Sequence, residues 1–196
     1  MNDLTKTVLL TLTLGVLTAP ALAQMNHGGM HSAPSGAASH TVMTMDLGVL
    51  SRLSGRAFDR AFLSMMIPHH QAAVAMSQTV LPTKNAQVKA WASAIIRDQN
   101  REITQMHTLL KSYGGVESSA AGGMQAMMGG MADSLKQASN KERAFVQSML
   151  PHHASAIEMA NLALQKSQNP SILKLARDIV RTQAQEMYEF KLYLLR

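Results

Sequence analysis

Apolar residues return at helical intervals through two stretches of the chain, and the two stretches are copies of one another. In the first, Phe62, Met66, His69, Ala73 and Met76 lie at offsets of 0, 4, 7, 11 and 14 residues, a single stripe along one helix. The second repeats it 83 residues later as Phe145, Met149, His152, Ala156 and Met159, and Pro68-His69-His70 is answered by Pro151-His152-His153. A further stretch follows each copy: Ile95, Gln99, Glu102 and Met106 correspond, 84 residues on, to Ile179, Gln183, Glu186 and Phe190. Pro82 interrupts the first helix, Thr83 is placed to cap the next, and Gly114-Gly115 closes it near Tyr113. Ser139-Asn140-Lys141-Glu142 has the form of a capping box, and Asn169-Pro170 that of an N-cap followed by proline at the first helical position. Short turns make successive helices antiparallel neighbours, and no strand-like alternation competes with them. The pattern predicts an all-α, up-and-down four-helix bundle made of two duplicated helical hairpins with internal pseudo-twofold symmetry.

The bundle is expected over residues 46–196, with hairpin one at about 54–113 and hairpin two at about 139–196. Between them, residues 114–136 form a Gly- and Met-rich linker that reads as a loose stretch, its glycines weakening any short helix within it. Residues 1–23 carry Lys6, an uncharged run and an Ala21-Leu22-Ala23 ending, which reads as a cleaved export signal. The run is shorter than the about 20 apolar residues a membrane span needs. Residues 24–45 are rich in Gly, Ser, His and Met without periodicity and read as a disordered tail. Export places the protein in the periplasm or outside the cell, with no stable membrane insertion after cleavage.

The chain has no cysteine, which removes disulfides, thiolate metal sites and thiol catalysis together. Its formal net charge of +6 is scattered, and one Trp, three Tyr and four Phe are too few for a base-stacking surface, so nucleic acid is not an expected partner.

Four histidines beside methionines are the candidate chemistry. His69 and His152 fall on the buried stripes, while His70 and His153 point about 100° away around the helix. Met66 lies one turn from both His69 and His70. Imidazole with thioether narrows the choice of metal toward Cu(I), with Ag(I) as its soft analogue. Pro68 and Pro151 are expected to kink their helices and free the carbonyls of Ser64 and Gln147. Gln99, Glu102, Gln183 and Glu186 occupy positions where periodicity expects apolar side chains. A buried carboxylate needs a partner, and a histidine of the same or the opposite hairpin is the natural one. Such a pair either fixes helix register or orients a metal-binding imidazole, and the spacing alone does not choose. Met76 and Met106 on the stripes serve packing equally well. Met25, His27, Met30, His31, Met43, Met45, Met124, Met127, Met128 and Met131 lie in segments too polar or Gly-rich to be core, and read as accessory soft-metal ligands.

The pairing of Met66-x-Pro68-His69-His70-x-x-Ala73-x-x-Met76 with Gln99-x-x-Glu102-Ile103-x-x-Met106 resembles the bacterial family catalogued as domain of unknown function 305, over nearly everything from Ser54 onward. The resemblance implies a ferritin-like four-helix bundle, export and, for some members, copper binding linked to copper tolerance. By motif match it places the family's His-His and Met positions on Met66, His69, His70, Met76, Met149, His152, His153 and Met159. The second repeat departs from the pattern, with Met187 and Phe190 where the first has Ile103 and Met106.

These readings converge on an exported, non-enzymatic protein that buffers, carries or sequesters copper as Cu(I). Its partners would be metal ions and a copper transporter or another periplasmic copper protein. Two alternatives stand beside it: a structural or partner-binding bundle without metal, and a ferritin-like metallo-oxidase. The oxidase is disfavoured because only Glu102 and Glu186 lie on buried stripes and no Glu-x-x-His occurs.

Overall fold

The computed structural model describes residues 47–196, which contain seven α-helices and no strand. The export signal, the tail and its Met25, His27, Met30, His31, Met43 and Met45 lie outside the described residues. A short helix α1 (Gly48–Arg52) leads into α2 (Gly55–Val80), which pairs with α3 (Ala86–Leu110) as the first hairpin. Helices α6 (Lys141–Lys166) and α7 (Pro170–Leu194) form the second. Hairpin one packs on hairpin two mainly through α2 and α6, which completes the four-helix bundle.

The helix boundaries follow from local chemistry. Asn85, rather than Thr83, caps α3, accepting from the backbone N–H groups of Gln87 and Val88. Thr83 instead accepts from Asn85 N–H and donates to Glu142 across the hairpins. The expected capping box is likewise replaced: Asn140 caps α6 by accepting from Arg143 N–H, and Glu142 is taken up by Thr83. Asn169 caps α7 with Pro170 at its first position, as the sequence predicts. Gly114 turns the chain out of α3 at φ +84°, where a side chain would be strained. Both α2 and α6 continue through Pro68 and Pro151 as single elements.

The linker departs most from expectation. It is not a loose stretch but two helices, α4 (Ser118–Met128) and α5 (Met131–Gln137), packed against α2, with α5 also touching α6. Glu117 caps α4 through Ala120 N–H at 2.7 Å, and Ser64 of α2 accepts its backbone N–H at 2.8 Å. Met124 and Met128 are buried in the core with Phe58 and Phe62, so these two do not lie outside the core as the sequence reading placed them. Met131 is partly buried against the core, and only Met127 of the four is exposed. The glycine penalty of about 1 kcal/mol per residue is small beside the burial of two methionine side chains.

The core has two apolar clusters. One gathers Phe58, Phe62, Met66, Met106, Met124 and Met159, and the other Met76, Ile95, Phe145, Met149 and Phe190. The four histidines, with Gln99 and Gln183, are buried as well.

Candidate metal centre

All four histidines are buried, not the stripe pair alone: His69, His70 and His153 at 0% and His152 at 2% relative exposure. The pseudo-twofold relation that exchanges the hairpins brings His69 of α2 against its counterpart His152 of α6, ring centroids 3.8 Å apart. Each is tied by its Nε2. His152 Nε2 donates to the His69 carbonyl at 3.1 Å. Ser155 spends its own hydroxyl proton on the His152 carbonyl at 2.7 Å, so it accepts from His69 Nε2 at 2.8 Å. Burial first, then the neighbouring histidines, pushes both imidazoles well below their ordinary pKa, so both are neutral at pH 7.

His70 and His153 each turn to a carboxylate of their own hairpin. His70 Nε2 donates to Glu102 Oε2 at 2.7 Å. His153 Nε2 lies at the same 2.7 Å from Glu186 Oε2, but the oxygen stands off the N–H direction and no hydrogen bond forms. Glu102 is buried and Glu186 slightly more open, with side-chain exposures of 10% and 13%. The carboxylates thus pair with the second histidine of each motif, a choice the sequence left open.

The network assigns the tautomers. Nε2 carries the proton in His69, His70 and His152, and the adjacent carboxylate favours the same form for His153. Every Nδ1 is then a bare lone pair, and none of the four has a protein partner. Gln99 Oε1 and both polar atoms of Gln183 are also buried without partners. Buried imidazole nitrogens are ordinarily satisfied, so four unpaired lone pairs on histidines whose rings neighbour one another in turn are an arrangement suited to an acceptor from outside the chain. A carboxylate on Nε2 with a free Nδ1 opposite is how proteins orient an imidazole toward a metal.

The thioethers are distributed differently from the sequence reading. Met66 and Met76 of one repeat do not share a cluster: Met66 and Met106 join Met159 of the other repeat, while Met149 and Phe190 join Met76. The first cluster holds Met65, Met66, Met106, Met124, Met128 and Met159 with Phe58 and Phe62, and the second Met76 and Met149 with Trp91, Phe145 and Phe190, whose ring lies 5.6 Å from His153. Among the described residues no three His, Asp or Glu side chains converge as a ready metal site. Met106 gains weight as a ligand candidate from this arrangement. Ser155, which fixes His69, went unnoticed in the sequence, though it stands three residues beyond His152 on the same helix face.

Comparison with known proteins follows the same lines. The family described as "Domain of unknown function (DUF305)" matches residues 9–110 and again 82–194, one His-His segment falling in each match. CopM in its Cu(II)-bound form is 34% identical, with a TM-score of 0.60, covering 69% of this chain and 95% of that one. Its Cu(I)-bound form gives 35% and 0.59 at 69% and 94% coverage, and its form co-crystallised with Ag 35% and 0.61 at 69% and 93%. A DUF305 fragment from Deinococcus radiodurans is 25% identical, with a TM-score of 0.59, over 69% of this chain and 94% of that one. The uncharacterised protein L153 of Acanthamoeba polyphaga mimivirus is 40% identical over 53 residues, 26% of this chain, and the match spans 35% of that protein's length.

Proposed function

This chain belongs to the family of domain of unknown function DUF305, and from that membership and its four buried imidazoles we propose that it is an exported, non-enzymatic copper-binding protein that buffers, carries or sequesters Cu(I). The four buried, unpartnered Nδ1 lone pairs carry the proposal. CopM, similar over most of its length, is known with Cu(I), Cu(II) and Ag bound, which supports carrying the metal class over to this chain.

The ligands would be drawn from Met66, His69, His70, Met76, Met149, His152, His153 and Met159, with Met106 added, and copper would be cargo rather than a resident catalyst. Glu102 and Glu186 would orient His70 and His153 from behind. Deprotonated Nδ1 atoms are available at pH 7 in the neutral His69 and His152, so binding there displaces no proton. Export rests on residues 1–23, and among the described residues no helix is long and apolar enough to cross a membrane. A transporter or another exported copper protein would supply or take the metal.

Thermal unfolding with Cu(I), Ag(I), Cu(II) and Zn(II), on the chain from Gln24 and on one starting near Asp46, tests the proposal. A metal at 100 times its dissociation constant adds about 2.7 kcal/mol if it binds only the folded state. A rise selective for Cu(I) and Ag(I) that survives removal of residues 24–45 is the expected result. No shift in either form would leave the His-Glu pairs structural and the bundle a partner-binding module.

A further inference from the structure

A neutral imidazole carries one N–H and one lone pair, so the group lying against one ring nitrogen decides whether the other is left free for a metal. Three of the four buried histidines face a partner that can only accept. His70 Nε2 meets the Glu102 carboxylate at 2.7 Å, His152 Nε2 meets the His69 carbonyl at 3.1 Å, and His153 Nε2 lies 2.7 Å from Glu186. Neither an ionised carboxylate nor a carbonyl has a proton to give, so each keeps the proton on Nε2. His69 is the exception. Its Nε2 lies 2.8 Å from the Ser155 hydroxyl, a group that donates as readily as it accepts.

A second bond of the same hydroxyl settles the direction. Ser155 Oγ donates to the His152 carbonyl at 2.7 Å, three residues back on its own helix, and its one proton is thereby used. Only its lone pairs remain for His69, whose proton must stand on Nε2 and whose Nδ1 is bare. The serine is 4% exposed, so bulk water does not compete for either bond.

The pseudo-twofold relation shows what the serine adds. His152 Nε2 reaches the His69 carbonyl directly, and the symmetric bond would run from His69 Nε2 to the His152 carbonyl. Ser155 Oγ stands between that nitrogen and that carbonyl instead, bonded to both. Shifting by 83 residues puts Ala72 at the matching position of the first repeat, which has no hydroxyl to offer. The interposed serine therefore occurs on one side of the axis only.

We infer that Ser155 is a positioning residue for the metal centre: it selects the nitrogen that His69 offers, so that His69, like the other three, leaves Nδ1 free. The inference rests on the copper reading for its metal, while the tautomer it assigns belongs to the metal-free protein. With Oγ removed, His69 Nε2 keeps no acceptor, and the two neutral forms of the ring compete. A metal bound through Nδ1 then draws on part of the population, and the ring that holds it loses the contact that orients it.

Long-range proton–nitrogen correlation spectra of metal-free protein carrying labelled histidine read the tautomer of each ring. In wild type, His69 should sit at the limiting shifts of a single neutral form with Nε2 protonated. In Ser155→Ala its two nitrogen shifts should move toward one another, while those of His70 and His153 stay. Ser155→Thr, which keeps a hydroxyl, should return them. Ser77→Ala removes another buried hydroxyl, one without a partner, and should change none. In oxygen-free competition with a chromophoric Cu(I) chelator, Ser155→Ala should raise the dissociation constant about tenfold, and the other two variants should not. His69 shifts unmoved in Ser155→Ala, or Ser155→Thr behaving as Ser155→Ala, would overturn the assignment of the tautomer to Ser155. Moved shifts with unchanged Cu(I) affinity would overturn its part in metal binding. Wild-type protein that retains no Cu(I) after desalting would overturn the copper reading instead, and the spectra would still decide the tautomer.

Discussion

His70 and His153 hold equivalent positions, each 2.7 Å from a carboxylate, yet they sit in different company. His70 makes an aligned hydrogen bond, and a solvent cavity lies on the far side of Glu102. His153 lacks the aligned bond, faces Phe190, and lies behind the Trp91-Glu189 contact. The polar skeleton is present in both halves, while its surroundings differ: Glu102 lines a cavity, and the Phe190 ring stands against His153. On the copper reading proposed above, the aligned His70–Glu102 pair is the one set to orient an imidazole for a metal, and the His153–Glu186 pair the one left to stabilise the bundle.

The sharpest way to break this comparison is to remove one partner from each pair. His70→Ala leaves Glu102 in a buried place without its donor and is expected to destabilise the metal-free protein by about 3 kcal/mol in urea unfolding. His153→Ala should cost less, since its Nε2 makes no aligned hydrogen bond to lose. Equal losses would mean that the pairs are equivalent in strength.

Replacing both partners separates metal from structure. In His70→Leu/Glu102→Met the metal-free protein should keep its stability, because apolar replacement of a buried pair is near neutral. The Cu(I)-dependent gain of about 2.7 kcal/mol at 100 times the dissociation constant should disappear. The matching change at His153 and Glu186 should retain most of that gain, as read by thermal shift with Cu(I). Retention in both would show that neither pair serves the metal.

The two axial histidines, by contrast, should behave alike. Above about pH 6.5 both are neutral whether folded or unfolded and add no pH dependence. Below it the unfolded chain takes up protons that the folded chain refuses, so stability falls as pH falls toward the depressed folded pKa values. The slope should reach about 1.4 kcal/mol per pH unit for each histidine, and His69→Gln or His152→Gln should each remove about half of it, measured by urea unfolding between pH 7 and 5.

The smallest change addresses the aromatic half directly. Phe190→Met should weaken the edge-on contacts with Trp91 and Phe145 and lower stability by about 1 kcal/mol. It also restores the thioether found in the first half, so native mass spectrometry with Ag(I) should show higher occupancy than in wild type.

Much of this arrangement was legible in the sequence. The four long helices follow from apolar spacing and from Pro82, Gly114 and Asn169-Pro170, which are local signals. The divergence of Phe190 from Met106 was visible on aligning the repeats, and Trp91 against Leu175 is readable in the same way. The helices of the linker were not legible, since Gly122-Gly123 argue locally against a helix that the burial of Met124 and Met128 stabilises from outside. Nor was the grouping of Met66 with Met159, because it depends on how α2 crosses α6 rather than on any spacing within one repeat. The choice of His70 over His69 as partner of Glu102 has the same origin: both lie within reach along α2, and only the placement of α3 decides.

The contact of His69 with His152 across the pseudo-twofold axis has a consequence for how such a chain can evolve. A residue on the axis is packed against its own copy, so a change there must be tolerated by its twin or matched by a second mutation. Residues off the axis, such as Met106 and Phe190 or Leu175 and Trp91, have no such tie and drift as separate lineages inside one polypeptide. The duplicated gene therefore had freedom to specialise one flank while its centre remained held in common.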